Sequence, residues 1–225
     1  MTTLTTAPLP KLLDRLFEEA EAASPAALPS VAAYWNNLSS EERGRLVRSR
    51  TDYLDFYGRM KDIPLAISRE TGMLLYMLAR STGARTAVEF GTSFGVSTLY
   101  LAAALRDNGG GRVITTEFEP SKVARARENL TAAGLIDLVE IRQGHALQTL
   151  RSDLPDTIDL LLLDGAKALY PDILKLVESR LRPGAFVVAD NADFCPEYLA
   201  LVRSSTSDYM STAFAEDIEL SMRLG

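Results

Sequence analysis

A chain of 225 residues, 47% hydrophobic and 24% charged, has the apolar content of one large globular domain, or of one domain with a helical appendage. A net charge of −6 without a dense Lys/Arg run excludes a nucleic-acid surface, and the chain reads as binding neither nucleic acid nor membrane, since no apolar run reaches spanning length. The single cysteine, Cys195, and the single histidine, His145, exclude an internal disulfide and a Cys/His zinc site; with no secretory signal pattern at the N-terminus, the expected location is the cytoplasm.

Residues 1–8 are small and polar and are expected to fray. Residues 9–23 place Leu12, Leu13, Leu16, Phe17 and Ala20 at helical spacing, with Lys11, Asp14, Arg15, Glu18 and Glu19 elsewhere. Residues 24–30 carry two prolines and predict a break. Ser39 and Glu42 have the spacing of a capping box for a helix running to about residue 60. Ile63-Pro64 interrupts, and Ser68 then predicts the N-cap of a helix through residue 79. Residues 1–80 thus read as a helical cap over a pocket or a subunit contact. Residues 81–225 read as the main body of what is one domain overall.

From residue 86 the pattern changes to strand and helix in alternation, the signature of a parallel sheet covered by helices. The chain is organised around residues 86–102, TAVEFGTSFGVSTLYLA. Ala87, Val88 and Phe90 form a short buried strand, Gly91 to Gly95 a glycine-bracketed turn, and Val96 onward an apolar helix. That order sets backbone N–H groups and a helix N-terminus beside the carboxyl end of a strand, where nucleotide-like ligands bind in open α/β sheets. The spacing is Glu-x-Gly-x-x-x-Gly, not the Gly-x-Gly-x-x-Gly of dinucleotide enzymes. Thr92, Ser93 and the carboxylate of Glu89 suit an amino-acid moiety and a sulfonium better than a pyrophosphate. The alternative is a turn whose glycines serve packing alone.

Further strands are predicted at 112–116, 138–141, 158–163 and 185–189, with helices at 120–133, 170–181 and 196–204. The chain closes on two strand-like runs, 209–214 and 218–224, an unusual hairpin for a dinucleotide domain. Chemistry is expected just past the carboxyl ends of the parallel strands. Glu117 there accepts a ribose diol or serves the helix that starts at Pro120. Phe118 covers an adenine or belongs to the core. Gly144-His145-Ala146 follows the third strand, and no acidic or nucleophilic partner near His145 supports a catalytic role for it. Asp164, Asp190 and Asn191 offer oxygen ligands alone, the set a hard cation such as Mg²⁺ takes, unless they are an N-cap and an ordinary turn. Lys167, three residues after Asp164, is either a desolvated base beside that cation or a solvated loop lysine.

From about residue 60 to 225 the chain resembles the cation-dependent S-adenosylmethionine (SAM) O-methyltransferases of the catechol and caffeoyl-CoA type and their bacterial relatives. VEFGTSFGVSTLYLA resembles the first motif of that family, ITTEFEP its acidic strand end, and LLLLDGAKALY with VVADNADF its metal-binding segments. Several separated motifs in the right order are far more specific than any one. The resemblance implies a Rossmann-like class I methyltransferase fold: α/β, a seven-stranded mainly parallel sheet with an antiparallel last strand, plus N-terminal helices.

The resemblance also implies roles. Glu89 and Gly91 line the methionine part of SAM, with Thr92, Ser93 and Gly95 in the same turn. Ser97 and Ile67-Ser68 hold its carboxylate. Glu117 binds the ribose, and Phe118, Gly144, His145 and Ala146 surround the adenine. Asp164, Asp190 and Asn191 bind Mg²⁺, with Asp164 also at the cofactor and in catalysis. Lys167 is the general base. The implied partner is a small hydroxylated acceptor, phenolic or a natural product, and the implied assembly is a homodimer. Gly165-Ala166 replaces bulkier residues of animal catechol enzymes, and residues 204–212 show no clear match for the acid that anchors their second hydroxyl. A bacterial tailoring enzyme of secondary metabolism therefore fits better than a catechol detoxifier. Two other classes stand beside this reading: a nicotinamide-dependent oxidoreductase and a non-catalytic cofactor-binding module. The glycine spacing and the closing hairpin disfavour the first; the presence of Asp164, Lys167, Asp190 and Asn191 disfavours the second.

Overall fold

The computed structural model describes residues 1–225 apart from 24, 27 and 216. The first helix, α1 (Leu9–Ala22), buries Leu9, Leu12, Leu13, Leu16 and Phe17 as its periodicity requires. Part of the break predicted at 24–30 lies outside the described residues. A helix that the sequence pattern did not predict follows, α2 (Pro29–Asn36). The capping box forms as its spacing predicts: Glu42 N donates to Ser39 Oγ at 3.2 Å and Ser39 N to Glu42 Oε2 at 2.8 Å.

The single helix expected from there to residue 60 is instead two, α3 (Ser40–Val47) and α4 (Tyr53–Arg59). Between them Ser49 Oγ accepts the backbone N–H groups of Thr51 and Asp52, at 3.2 and 2.9 Å. A short side chain that bonds nearby backbone in this way competes with the helix ladder and ends it. Helices α2–α4 gather around a small core of their own, with Val31, Leu46, Phe56, Met60 and Ile63 at its centre. Helix α5 (Arg69–Ser81) starts at the predicted cap, Thr71 N donating to Ser68 Oγ at 3.0 Å.

The seven strands are β1 (Thr86–Phe90), β2 (Arg112–Glu117), β3 (Val139–Gln143), β4 (Ile158–Leu163), β5 (Leu181–Ala189), β6 (Tyr209–Phe214) and β7 (Ile218–Arg223). They lie in the order β3-β2-β1-β4-β5-β7-β6. Strands β1 to β5 pair in parallel, and β7 enters antiparallel between β5 and β6. The remaining helices are α6 (Val96–Asp107), α7 (Pro120–Ala132), α8 (Ala146–Thr149), α9 (Tyr170–Val177) and α10 (Pro196–Arg203). Helices α1, α5 and α6 cover one face, where Leu160 and Leu162 of β4 point. Helices α9 and α10 cover the other, with Ile158, Leu161 and Leu163. A central strand buried on both faces reads as a continuous apolar run, and this one does.

Element ends differ from the expected ones where local chemistry intervenes. Leu138 falls in a 3₁₀ turn (Ile136–Leu138), so β3 starts one residue later. The helix expected through 181 stops at Val177, and β5 begins at Leu181. Leu181 pairs with Ile158 and Phe186 with Leu160, so Pro183-Gly184 lies in an irregular stretch of β5. Proline lacks the N–H that a regular ladder needs there.

Candidate functional site

The exits of β1 and β4 touch. Gly91, at φ +106°, passes so close to the exit of β4 that a Cβ there would lie 2.4 Å from the Asp164 carbonyl oxygen. Gly165 sits equally tightly against the Phe90 ring, 2.5 Å from an added Cβ. The glycines let two strand ends converge on one point. Beside them the Glu117 carboxylate is held at both oxygens: Ser93 N donates to Oε2 at 2.9 Å and Glu119 N to Oε1 at 3.0 Å.

A cleft opens over these exits. One wall is Gly91, Ser93, Glu117, Phe118 and Lys122; Gly144, His145 and Ala146 form another. Asp164, Gly165, Ala166 and Leu169 close one end, and Tyr53, Leu54, Tyr57 and Leu65 cover the top. His145 Nδ1 accepts the Leu147 backbone N–H at 3.2 Å and so caps α8. An accepting Nδ1 leaves the proton on Nε2, which faces the Tyr53 hydroxyl. The helical arm is also tied down by Arg50, which donates to the Ala168 carbonyl at 3.0 Å and pairs with Asp172.

At the Asp164 end lies a buried charge cluster. Lys167 Nζ stands 3.1 Å from Asp164 Oδ1, 3.6 Å from Asp190 Oδ2 and 2.9 Å from the Tyr170 hydroxyl, which in turn donates to the Asp190 carbonyl at 2.8 Å. Burial, and then the charge of Asp164, push the Asp190 carboxyl up to about 8. Burial raises Asp164 too, against the pull of Lys167. Burial works to lower the Lys167 ammonium, but Tyr170, Asp164 and Asp190 outweigh it and hold it well above the ordinary lysine value. An Asp190 carboxyl that keeps its proton leaves the cluster neutral, and a cation bound there would take the place of that proton. Asn191 follows at φ +48°, and its Nδ2 donates to Asp217 Oδ2 at 3.0 Å. Among the described residues no group of three or more His, Cys, Asp or Glu side chains could hold a metal ion.

The profile of a methyltransferase domain matches residues 88–192. A catechol O-methyltransferase of Niastella koreensis is 35% identical over 130 residues, covering 56% of this chain and 58% of that protein. A catechol O-methyltransferase of Mycobacterium tuberculosis is 36% identical over 127 residues, covering 56% of this chain and 57% of that one. The crystal structure of the O-methyltransferase TomG from Streptomyces achromogenes, involved in tomaymycin synthesis and in complex with SAM, matches with a TM-score of 0.63 at 27% identity, over 84% of this chain and 100% of that one. Over residues 88–192 the chain matches the methyltransferase domain, and it is similar to catechol O-methyltransferases. It spans less than two thirds of the length of the curated relatives it matches. The sheet is that of a class I methyltransferase, with its last strand antiparallel.

Within this O-methyltransferase fold the residues singled out in the sequence divide in two. Gly91, Ser93, Glu117, Phe118, Gly144, His145, Ala146 and Asp164 line the cleft together. Asp190 joins them through the charge cluster; Asn191 does not line the cleft, and its amide bonds Asp217. Six residues expected at the cofactor do not line it. Glu89 is sealed beneath the turn, where it accepts the Thr98 hydroxyl and is pushed up by burial; its Oε1 has no partner among the described residues. Thr92 is 1% exposed, its hydroxyl on Thr115 and its N–H on the Thr116 carbonyl. Gly95 packs against Ala126, Ser97 is buried in the first turn of α6, Ile67 is core, and the Ser68 hydroxyl caps α5.

Lys167 is buried, as a desolvated lysine must be, and Tyr170, Asp164 and Asp190 hold its ammonium well above the ordinary lysine value. Tyr53, Tyr57 and Lys122 are cleft residues the sequence reading missed. The tyrosines carried a signal, two phenol rings four residues apart on one helix, which is also an ordinary packing stripe. Lys122 carried none.

Proposed function

We propose that the chain is a SAM-dependent O-methyltransferase that moves a methyl group to a hydroxyl of a small phenolic or natural-product acceptor, with Mg²⁺ assistance. The observation that carries this reading is Asp164, which lines the cleft and also belongs to the buried charge cluster. A cofactor site and an ionic site thereby share one side chain.

On this reading Glu117 receives the ribose hydroxyls with the lone pairs left free by its two N–H donors. Phe118, His145 and Ala146 flank the adenine. Asp164, Asp190 and the Asn191 amide oxygen hold the cation. When bound, SAM supplies the methyl on a sulfonium, and a divalent cation supplies positive charge that offsets the two carboxylates and acidifies groups beside it, Lys167 and an acceptor hydroxyl included. Tyr53 covers the adenine end beside His145, while Tyr57 and Leu65 exclude water from above and orient a flat acceptor against the sulfonium end, where most of the rate enhancement comes from alignment. Lys167 Nζ holds a proton between the two aspartates and becomes an acceptor once they are engaged elsewhere.

A homodimer is part of the same reading. Met73 and Met77 support it, lying exposed one turn apart on α5; a monomeric mass in solution contradicts it. Among the described residues no helix is long and apolar enough to cross a membrane, which is compatible with the cytoplasmic location. The test of the whole is a thermal shift with S-adenosylhomocysteine (SAH), with NADH as control. At 100-fold excess over Kd a specific ligand adds about 2.7 kcal/mol, and about 2–4 °C per kcal/mol makes that several degrees. A shift with SAH alone supports the reading; a shift with NADH alone overturns it.

A further inference from the structure

We propose that Lys122 binds the cofactor directly, its ammonium donating to a ribose hydroxyl whose own proton goes to Glu117. The inference rests on the SAM reading above and adds to it a residue that no motif marks. Lys122 is 4% exposed and lines the cleft. It occupies the third position of α7, where the helix dipole disfavours a cation, and burial adds to the cost. Among the described residues it makes no ion pair or hydrogen bond, and its Nζ lies 5.9 Å from the Phe94 ring centroid, near the outer limit of a cation–π contact. Arg125, one turn further along α7, lies over the same ring at 5.5 Å and differs on both counts: it reaches solvent, and it pairs with Glu19 at 2.6 Å.

An ammonium carries three N–H donors and no acceptor, so a buried one needs oxygens to receive them. The cleft supplies them to Lys122, from water until a ligand displaces it and from the ligand afterwards. Two contacts place the ammonium on the wall that Glu117 occupies. Phe94, the ring beside Nζ, directly follows Ser93, whose N–H holds Glu117 Oε2 at 2.9 Å. The helix that carries Lys122 is capped by Glu119, whose N–H holds Glu117 Oε1 at 3.0 Å. The Glu119 carboxylate is itself engaged, its Oε1 accepting from Ser121 N and Oγ at 3.3 and 3.0 Å. The segments that seat the Glu117 carboxylate are thus the ones that seat Lys122. A ribose hydroxyl that gives its proton to Glu117 keeps two lone pairs, and a donor on the same wall takes up one of them. Glu117 and Lys122 then read the diol in opposite senses, the carboxylate as acceptor and the ammonium as donor.

The experiment is calorimetric binding of SAH and of its 2′-deoxy and 3′-deoxy analogues to wild type and to Lys122→Met. The substitution weakens SAH roughly 10–100-fold, the range of a hydrogen bond made by a charged group. The deoxy analogue that lacks the bonded hydroxyl binds wild type and variant within about twofold of each other, while the other analogue keeps the full penalty. A penalty equal for all three ligands is the mark of a structural role and overturns the proposal, as does unchanged SAH affinity in a folded Lys122→Met. If Lys122→Met does not fold, the Lys122 ammonium is followed in wild type by ¹⁵N NMR. SAH and one deoxy analogue then move its signal and the other analogue leaves it in place; three equal shifts, or none, overturn the proposal. Wild type that fails to bind SAH overturns the SAM reading and this proposal with it, whereas every outcome above leaves the SAM reading standing.

Discussion

The two sides of the cleft are built differently. The sheet side rests on β4, whose Leu160, Leu161, Leu162 and Leu163 are all 0% exposed. The arm side, α2–α4, rests on a separate cluster of five buried residues and reaches the body through Tyr53 and Tyr57, which pack into the core on the α9–α10 face, and through a few polar ties. These are Tyr53 to His145, Arg50 to Ala168 and Asp172, and Leu65 N to Ser93 Oγ at 3.1 Å. A residue set on the rigid side keeps its geometry, as reacting groups require. A residue on the arm shares its lower local stability, which suits a cover that admits and releases ligands.

The comparison breaks first at Asp164. Asp164→Ala should abolish cation-dependent methyl transfer, measured with and without EDTA, while SAH binding persists; undiminished turnover would remove the ionic site from the mechanism. Next comes the β4 core. Leu162→Ala should cost about 2–5 kcal/mol in urea unfolding, a truncation in a site with little room to collapse. A loss well below that range would mean that β4 is no more rigid than the arm.

Asp159 sharpens the same contrast from the far end of β4. Its carboxylate accepts the N–H groups of Arg85 and Thr86 at 2.8 and 2.9 Å and pairs with Arg182. Burial works to raise its pKa, but Arg182 and the two backbone donors prevail and hold it below the ordinary value. A depressed carboxyl contributes stability that is present above its unfolded pKa, near 4, and is lost as pH falls through the folded one. Asp159→Asn should therefore cost about 1–3 kcal/mol at pH 7, and the gap from wild type should close below about pH 4. A gap that stays constant on acidification would show that the charge contributes nothing. The smallest effect belongs to the arm. Tyr53→Phe removes one hydrogen bond, worth about 0.5–1.5 kcal/mol, and should speed SAH release by roughly 2–10-fold in stopped-flow measurements. An unchanged release rate would assign the hold on the arm to its apolar contacts.

Much of the sheet body was legible because its signals are local. IDLLLL is a strand of the right length and apolar run, and it occupies Ile158–Leu163 as expected. The glycine turn after β1 and the closing hairpin were legible for the same reason. The arm was not. Its helices are eight, eight and seven residues long, and Ser49 divides a stretch whose periodicity continues across it. The candidate site was half legible. Residues at strand ends follow from topology, so Glu117, His145 and Asp164 stand where the alternation of strand and helix put them. Whether such a side chain faces the cleft does not follow, and Glu89 and Thr92 face the interior instead.

By itself the sequence determined the order of strands and helices, the glycine turn and the oxygen-bearing residues at the strand exits. These depend on period, turn chemistry and apolar length within a few neighbours. The tertiary structure alone decided that Tyr53 meets His145 across 92 residues, that Lys122 turns into the cleft and that Lys167 holds its proton between Asp164 and Asp190. Protonation and contact are properties of the field and packing around a group, and those arise only when distant segments are brought together.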